Sequence, residues 1–487
     1  MPADVLFVYN DVTAHTGYTC GLGLAALSSY IRRHGFVSSL AYYRHESDLP
    51  YVLETARRTD PCLVGFYGPS SGFAALQRLS TALRQAMPRL PQMYGGPDAT
   101  LCPERLLTTP SLDAVCVGYG ERPLVETLRL IQAGREFTGV QGLWAAPRNG
   151  ARGTVVQNPP NANLDDLDEA IGFDHELFLR ALARFRDFRR DEQSLEIILT
   201  RGCPRHCAFC SNAALRKVLG ARIPRPSVDA AIRVVNECLE ATELRHITFH
   251  DDDLALDRAW FRNFVERYRQ EVRTPFWCNL RADGFDKEDL HLLKAAGATR
   301  VFVGIESGNA YVRNTLMRKG LSDEAIVHGF RLLHEAQLPA ISQNIIGTPG
   351  ETPRQFLDTV RMNARIAPHS AILSVFYPYP KTHLADVCSE RGLLDGTVLR
   401  QEREEAWLDT PEFPRAAIGS YRRRFDYLIR YEQLRRAHPL LLPVPLTPLT
   451  AAPLAGTLRL YRRLRSALLP GKRRKDVRQQ EGPCKTS

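Results

Sequence analysis

The chain starts without a basic segment, an apolar run or a small-residue cleavage site; MPADVLFVYNDV reads instead as a first β-strand, and a cytoplasmic protein is expected. Cysteine is too sparse for a disulfide scaffold, at 11 in 487 residues, so reduced thiols are expected. The five prolines from Pro439 to Pro453 exclude a spanning helix there. No short internal repeat is present. Unbalanced charge is scarce in the body: of the net +10, about +8 falls between Leu454 and Ser487, so any nucleic-acid or membrane contact belongs to the tail. What is there is ordinary for a globular protein, 44% hydrophobic and 24% charged, and 487 residues can bury two or three cores.

Residues 1–145 alternate apolar strands ending in glycine with amphipathic stretches. Val5–Tyr9, Cys62–Gly68, Pro91–Gly96 and Ala114–Glu121 read as strands, with helices at Leu22–His34 and Phe73–Met87. This alternation predicts an α/β domain with a doubly wound, Rossmann-like parallel sheet whose strand ends form a ligand crevice. Residues 146–190 weaken into a polar connection. A second series covers 191–395, with strands at EIILT (Glu196–Thr200), HITFHDD, FWCNLRA, RVFVGIES, ISQNIIG and ILSVFYP and a helix capped by Ser227. About six such units predict a partial (β/α)6 barrel with its chemistry at the carboxyl ends of the strands. Residues 396–487 read as a helical, basic C-terminal region.

LTRGCPRHCAFCSN places Cys203, Cys207 and Cys210 as CxxxCxxC on the loop after EIILT. Three thiolates from one short loop suit three corners of a cubane iron–sulfur cluster, leaving the fourth iron open to a substrate or cofactor. Zinc with His206 as a fourth ligand is the structural alternative. Cys238 and Cys278 fall within helix and strand patterns and read as packing residues.

CxxxCxxC on a first barrel loop resembles the signature of the radical S-adenosylmethionine (SAM) superfamily. The resemblance implies a 4Fe-4S cluster whose open iron binds the amino and carboxylate groups of SAM. Ala208 stands where that family usually has an aromatic residue, and Phe209 follows it. On the same template Asp251 or Asp252, in the HDDD string His250–Asp253, would accept the cofactor's amino group. Arg281 of NLRAD would meet its carboxylate. Glu306 and Ser307 of GIESG, with Gly347 and Glu351 of IIGTPGE, resemble the family's ribose and adenine strand ends; Glu306, between two glycines of an apolar strand, also needs a partner if buried.

The first domain resembles the cobalamin-binding module fused to one branch of that superfamily. The resemblance rests on GLGLAALSSYIRRHG (Gly21–Gly35), GFYGPSSGFAA with Ser70 and Ser71, GGPDAT (Gly95–Thr100) and VGYGERPLVETL (Val117–Leu128). Gly95, Gly96, Gly118 and Gly120 would let the backbone approach a corrin, and the two serines would reach its tail. The DxHxxG motif whose histidine ligates cobalt in methylmalonyl-mutase-type modules is absent: Asp11 and His15 stand as DxxxH, so His15 reads as structural. Asp98 stands where relatives often show histidine. Transfer-RNA methylthiotransferases join a similar domain to such a barrel and add three cluster cysteines; Cys20, Cys62 and Cys102 have suggestive spacing, but in contexts unlike that family's.

The resemblance implies an enzyme that reductively cleaves SAM to a 5'-deoxyadenosyl radical and methylates an unactivated carbon of a small-molecule or lipid substrate, served by an electron donor such as flavodoxin or ferredoxin. Ring formation or rearrangement without methyl transfer is the alternative. In the tail, Leu454, Leu458, Tyr461, Leu464 and Leu468 recur at helical spacing beside Arg459, Arg462, Arg463 and Arg465, with KRRK at Lys472–Lys475. Such a helix suits peripheral contact with the inner face of a membrane, a solvated terminal helix being the alternative; nucleic acid is disfavoured, for want of aromatics beyond Tyr461. Tyr311, His334, His369 and Tyr377 are candidate acids or bases.

Overall fold

The computed structural model describes residues 2–12, 18–146, 155–164, 166–394 and 404–438. His15 and the tail from 439 lie outside them, and with the tail the basic helix proposed for a membrane surface. Two sheets organise the rest.

The first is seven-stranded. β1 (Val5–Asn10), β2 (Ser38–Tyr43), β3 (Leu63–Tyr67), β4 (Gln92–Tyr94) and β5 (Ala114–Cys116) run parallel in the order β2-β1-β3-β4-β5. Val5, Leu6, Phe7 and Val8 are all at most 2% exposed, because helices cover both faces of the sheet. The helices Leu22–Arg33 and Phe73–Ala86 lie where the apolar spacing places them. β2 escaped the sequence reading, since SSLAYY opens with two serines and lacks a strong apolar run.

The stretch read as a connection carries structure of its own and bonds to both sheets' surroundings, with His175 on the Glu196 carbonyl and Asp168 on Ser227 N. β6 (Leu143–Ala145) and β7 (Val156–Gln157) extend the sheet antiparallel from β5. Beyond them, Asp174 caps the helix His175–Leu182 and accepts from Ser28 Oγ at 2.7 Å, while Arg33 binds the carbonyls of Ala170 and Ile171. Polar residues here serve caps and tertiary hydrogen bonds, which a hydropathy pattern registers only as polarity.

The second sheet is six-stranded and wholly parallel, in sequential order: β8 (Leu195–Ile197), β9 (Ile247–Phe249), β10 (Phe276–Leu280), β11 (Ala298–Glu306), β12 (Ala340–Ile346) and β13 (Ser370–Val375). This is the partial barrel. Its strands alternate fully buried residues, such as Ile197, Phe249 and Cys278, with half-exposed ones, such as Glu196, Thr248, Trp277 and Asn279. The buried set packs on the surrounding helices; the other set faces the lumen. Ser227 caps its helix as the sequence suggests, and a Thr352/Gln355 capping box starts another. After the barrel, the helix Arg415–Ala437 lays Ile418, Tyr421, Phe425 and Leu428 onto Phe356 and its neighbours.

Candidate active site

The two domains meet with the carboxyl ends of their strands around one cavity of about 440 Å³. The first domain contributes a largely apolar wall that includes Phe7, Leu24, Tyr67 and Met93, together with Gly95, Gly96, Gly118 and Gly120; the barrel contributes Ile198, Arg201, Gly202, Asn212, Arg216 and Asp252. At Gly96 φ is 110°, and a Cβ there would stand 2.6 Å from the Tyr67 ring. At Gly118 φ is 102°, and a Cβ would overlap the Asn161 backbone. Gly95 would meet only Cys116, at 3.9 Å. The wall thus combines glycine backbone with aromatic and aliphatic side chains, a surface suited to a large, mostly apolar ring. No imidazole stands among the described lining residues.

Ser70 and Ser71 do not line this cavity. Ser70 donates to Asp98 Oδ1 at 2.9 Å, and Arg105 pairs with the same carboxylate; Ser71 lies in the same short turn. The turn braces Asp98, so the tail contact expected of these hydroxyls finds no support in their placement. Among the described residues, Arg201 and Glu121 form the charge pair that crosses the cavity wall, at 3.3 Å and 16% and 4% exposed.

Cys203, Cys207 and Cys210 occupy the loop that follows β8. Asp251 fixes its root: fully buried, it accepts from Leu199 N, Thr200 N and Thr200 Oγ1 at 3.1, 2.7 and 2.7 Å. Asp251 therefore anchors the loop rather than offering itself to a cofactor. Asp252 does face the cavity, bonded to Asn212 at 2.8 Å. Asp253, which the motif reading passed over, buries an unpartnered Oδ1, and burial lifts its carboxyl to about 6.

The cysteines are free thiols, half-buried or buried. Burial raises all three above the ordinary thiol range, Cys210 to about 12, so taking up a metal must displace their protons. Among the described residues no three His, Cys, Asp or Glu side chains gather closely enough to hold one metal ion, and His206 is exposed. Three thiolates carried on one loop can occupy three corners of a polynuclear cluster. Cys20, Cys62 and Cys102 do not form a second site either: Cys62 Sγ bonds the Asp4 carbonyl, near the opposite end of the sheet from Cys20.

At the far side of the lumen, Glu306 ends β11 at a register shift with φ 61° and pairs with Lys319 at 2.7 Å. Ser307 is turned away, fully buried against Thr359. Arg281 is committed elsewhere: it donates to the carbonyls of Lys319 and Gly320 at 3.0 and 2.6 Å, and its Nε lies 2.6 Å from Asp283 without hydrogen-bond alignment. The carboxylate contact expected of it would have to displace these. Gly347, at φ 84°, donates to Glu351 Oε2 at 2.7 Å, while Glu351 Oε1 and Thr348 Oγ1 are buried without partners.

Of the four acid–base candidates, His334 bonds the Ile366 carbonyl, Tyr311 and His369 are exposed, and Tyr377 packs on Tyr379 and Trp407 just beyond β13. Sequence reading missed Glu196. It points into the lumen two residues before cavity-lining Ile198, lies 3.9 Å from His250, and is raised to about 7 by burial, with Asp11 adding to the shift. Strand alternation through EIILT was the available signal, since it sets Glu196 and Ile198 on one face.

The Radical SAM superfamily model matches residues 197–362, and the B12 binding domain model matches residues 11–128. The chain is a radical SAM enzyme with a B12-binding domain. The protein labelled uncharacterized methyltransferase PH0819 of Pyrococcus horikoshii is 25% identical over 77% of this chain and 79% of its own. The anaerobic magnesium-protoporphyrin IX monomethyl ester cyclase of Rubrivivax gelatinosus is 22% identical over 76% of this chain and 66% of its own. In fold, the radical SAM methyltransferase TsrM from Kitasatospora setae superposes with a TM-score of 0.62 at 19% identity, covering 80% of this chain and 77% of that one. For this radical SAM enzyme the cofactors are a 4Fe-4S cluster, SAM and cobalamin. Cys203, Cys207 and Cys210 would hold the first, and the glycine-walled cavity would receive the last.

Glu351 gives the radical SAM domain a pH signature. Burial raises its carboxyl from 4.5 to about 8, against two backbone N–H groups that favour the charged form. A folded pKa above the unfolded one means that ionisation penalises the fold: the penalty is absent below pH 4.5, grows up to about 8 and is constant above. Glu351→Gln is therefore expected to melt increasingly above the parent protein as pH rises from 5 to 8.5, the gap widening by roughly 4 °C or more. Thermal melts across that range check it; a constant gap would place the Glu351 pKa outside the window.

Proposed function

We propose that the enzyme transfers a methyl group from cobalamin to an unactivated carbon of a small-molecule substrate held in the barrel lumen. The carrying observation is the position of the cavity: its glycine wall belongs to the B12-binding domain, its opposite wall includes the cysteine loop's own Arg201 and Gly202, and Ile198 connects it to the lumen face of β8. In such a site the cluster supplies the electron that cleaves SAM to the 5'-deoxyadenosyl radical, and cobalamin carries the methyl group. The chain's residues do the rest. Arg201 and Glu121 hold the two walls in register, Asp251 fixes the cysteine loop, and Glu196 and His250 border the path from cavity to lumen.

An electron donor of the flavodoxin or ferredoxin kind completes the system. Among the described residues no helix is long and apolar enough to cross a membrane. The basic tail is proposed to bring the enzyme to an anionic bilayer if the acceptor is a lipid. The cyclase relative favours a second reading, ring formation without methyl transfer.

Anaerobic reconstitution with iron, sulfide and hydroxocobalamin tests the cofactors, about four irons and one corrin per chain being expected. Methyl-labelled SAM with an aqueous metabolite extract, and separately a lipid extract, then tests the reaction. Label in a product of either extract supports methyl transfer. 5'-Deoxyadenosine with a changed but unlabelled product supports ring formation. About eight irons and no corrin would point to a methylthiotransferase.

A further inference from the structure

Lys319 is a half-buried lysine to which no cofactor role follows from the motifs, yet much of the surrounding structure holds it in place. Its Nζ donates to Glu306 Oε1 at 2.7 Å, and the two side chains are 12% and 11% exposed. The carboxylate partner is itself held in the left-handed region, at a bulge in β11. Gly304 faces the pair: a Cβ there would stand 2.5 Å from Glu306 Oε1 and 3.0 Å from Lys319 Nζ, so glycine keeps the space that the pair occupies.

Two buried arginines clamp the loop that carries the lysine. Arg281 takes the carbonyls of Lys319 and Gly320. Arg313, fully buried, bonds the carbonyls of Ser307 and Leu321 at 2.8 and 2.6 Å, pairs with Asp323, and accepts the Lys319 amide at its own carbonyl. The same loop is tied to the cysteine loop, because Ala208 N, beside Cys207, donates to Met317 O at 2.8 Å. Lys319 thus stands two residues from a direct hydrogen bond to the cluster-binding segment, on a loop that Arg281 and Arg313 hold against it.

We propose that Lys319 is a positioning residue that sets the reduction potential of the cluster held by Cys203, Cys207 and Cys210, with Glu306 as its counterweight. The inference rests on the reading that these cysteines hold a 4Fe-4S cluster. The step it governs is a one-electron transfer: a low-potential donor loses one electron, the oxidised cluster gains it, and no bond is made or broken. A half-buried cation on the loop hydrogen-bonded to the cluster-binding segment favours the state with the extra negative charge, and in a partly dry site the effect is weakly screened.

The test is a redox titration of the reconstituted holoprotein, followed by electron paramagnetic resonance, on the parent, Lys319→Met, Lys319→Arg and Glu306→Gln, with iron content measured for each. Lys319→Met leaves the Glu306 charge unopposed, so its reduced-to-oxidised ratio at a fixed potential is expected to fall by about tenfold or more, about 59 mV for a one-electron couple. Lys319→Arg is expected to stay within about threefold of the parent, and Glu306→Gln to move the ratio the opposite way. An unshifted potential in Lys319→Met at full iron content overturns the proposal, as does a shift of one sign in both Lys319→Met and Glu306→Gln. If Lys319→Met fails to take up iron, the sign of the Glu306→Gln shift decides. A parent protein that takes up no cluster overturns instead the reading of the cysteines.

Discussion

Replacing Cys203, Cys207 and Cys210 together by alanine is expected to remove essentially all iron from the reconstituted protein and to abolish SAM cleavage, while the corrin content stays at that of the parent. The separation follows from the architecture. The loop is rooted by Asp251 through three hydrogen bonds to Leu199 and Thr200, none involving a cysteine, so its course survives the substitution. The glycine wall of the cavity belongs to the other sheet, whose strands pair only among themselves. Loss of both iron and corrin would mean that the cluster organises the interdomain cavity. Iron retained in the variant would move the cluster to other ligands. Iron and cobalt analysis alongside a thermal melt separates these outcomes from global unfolding.

The cysteine loop was legible because its chemistry is local: three thiols within eight residues after a strand need no tertiary information. The barrel was legible for a similar reason, since six apolar strands at regular intervals leave few parallel arrangements open. Side-chain direction was not. Ser307, Ser70 and Arg281 sit at the strand ends their motifs indicate, but each spends its polar atoms on a neighbour distant in sequence: Thr359, Asp98, and the carbonyls of Lys319 and Gly320 respectively. Lys319 and Glu196 show the converse. Their importance comes from what the fold brings beside them, a left-handed glutamate and a cysteine loop in one case, a histidine and an interdomain cavity in the other. Within residues 146–190 the short helices were not legible on the same ground, because polarity spent on caps reads in sequence like polarity spent on solvent.

Gly96→Val is expected to weaken cobalamin binding by about a hundredfold, which is about 2.7 kcal/mol, with iron uptake unchanged. Two costs combine. The backbone stands at φ 110°, where a β-branched residue is strained by about 1–3 kcal/mol. The new Cβ would also lie 2.6 Å from the Tyr67 ring, which lines the cavity and has Tyr9 stacked beside it at 5.9 Å. Either the ring or the backbone must move, and each movement disturbs the wall proposed to carry the corrin. Gly139 supplies the control: a Cβ there would meet nothing within 4 Å and its φ is ordinary, so Gly139→Ala should bind cobalamin as the parent does. Spectrophotometric titration with hydroxocobalamin measures both. Equal affinity in Gly96→Val and the parent would place the corrin elsewhere, since no ring packed against Gly96 and Tyr67 tolerates that change.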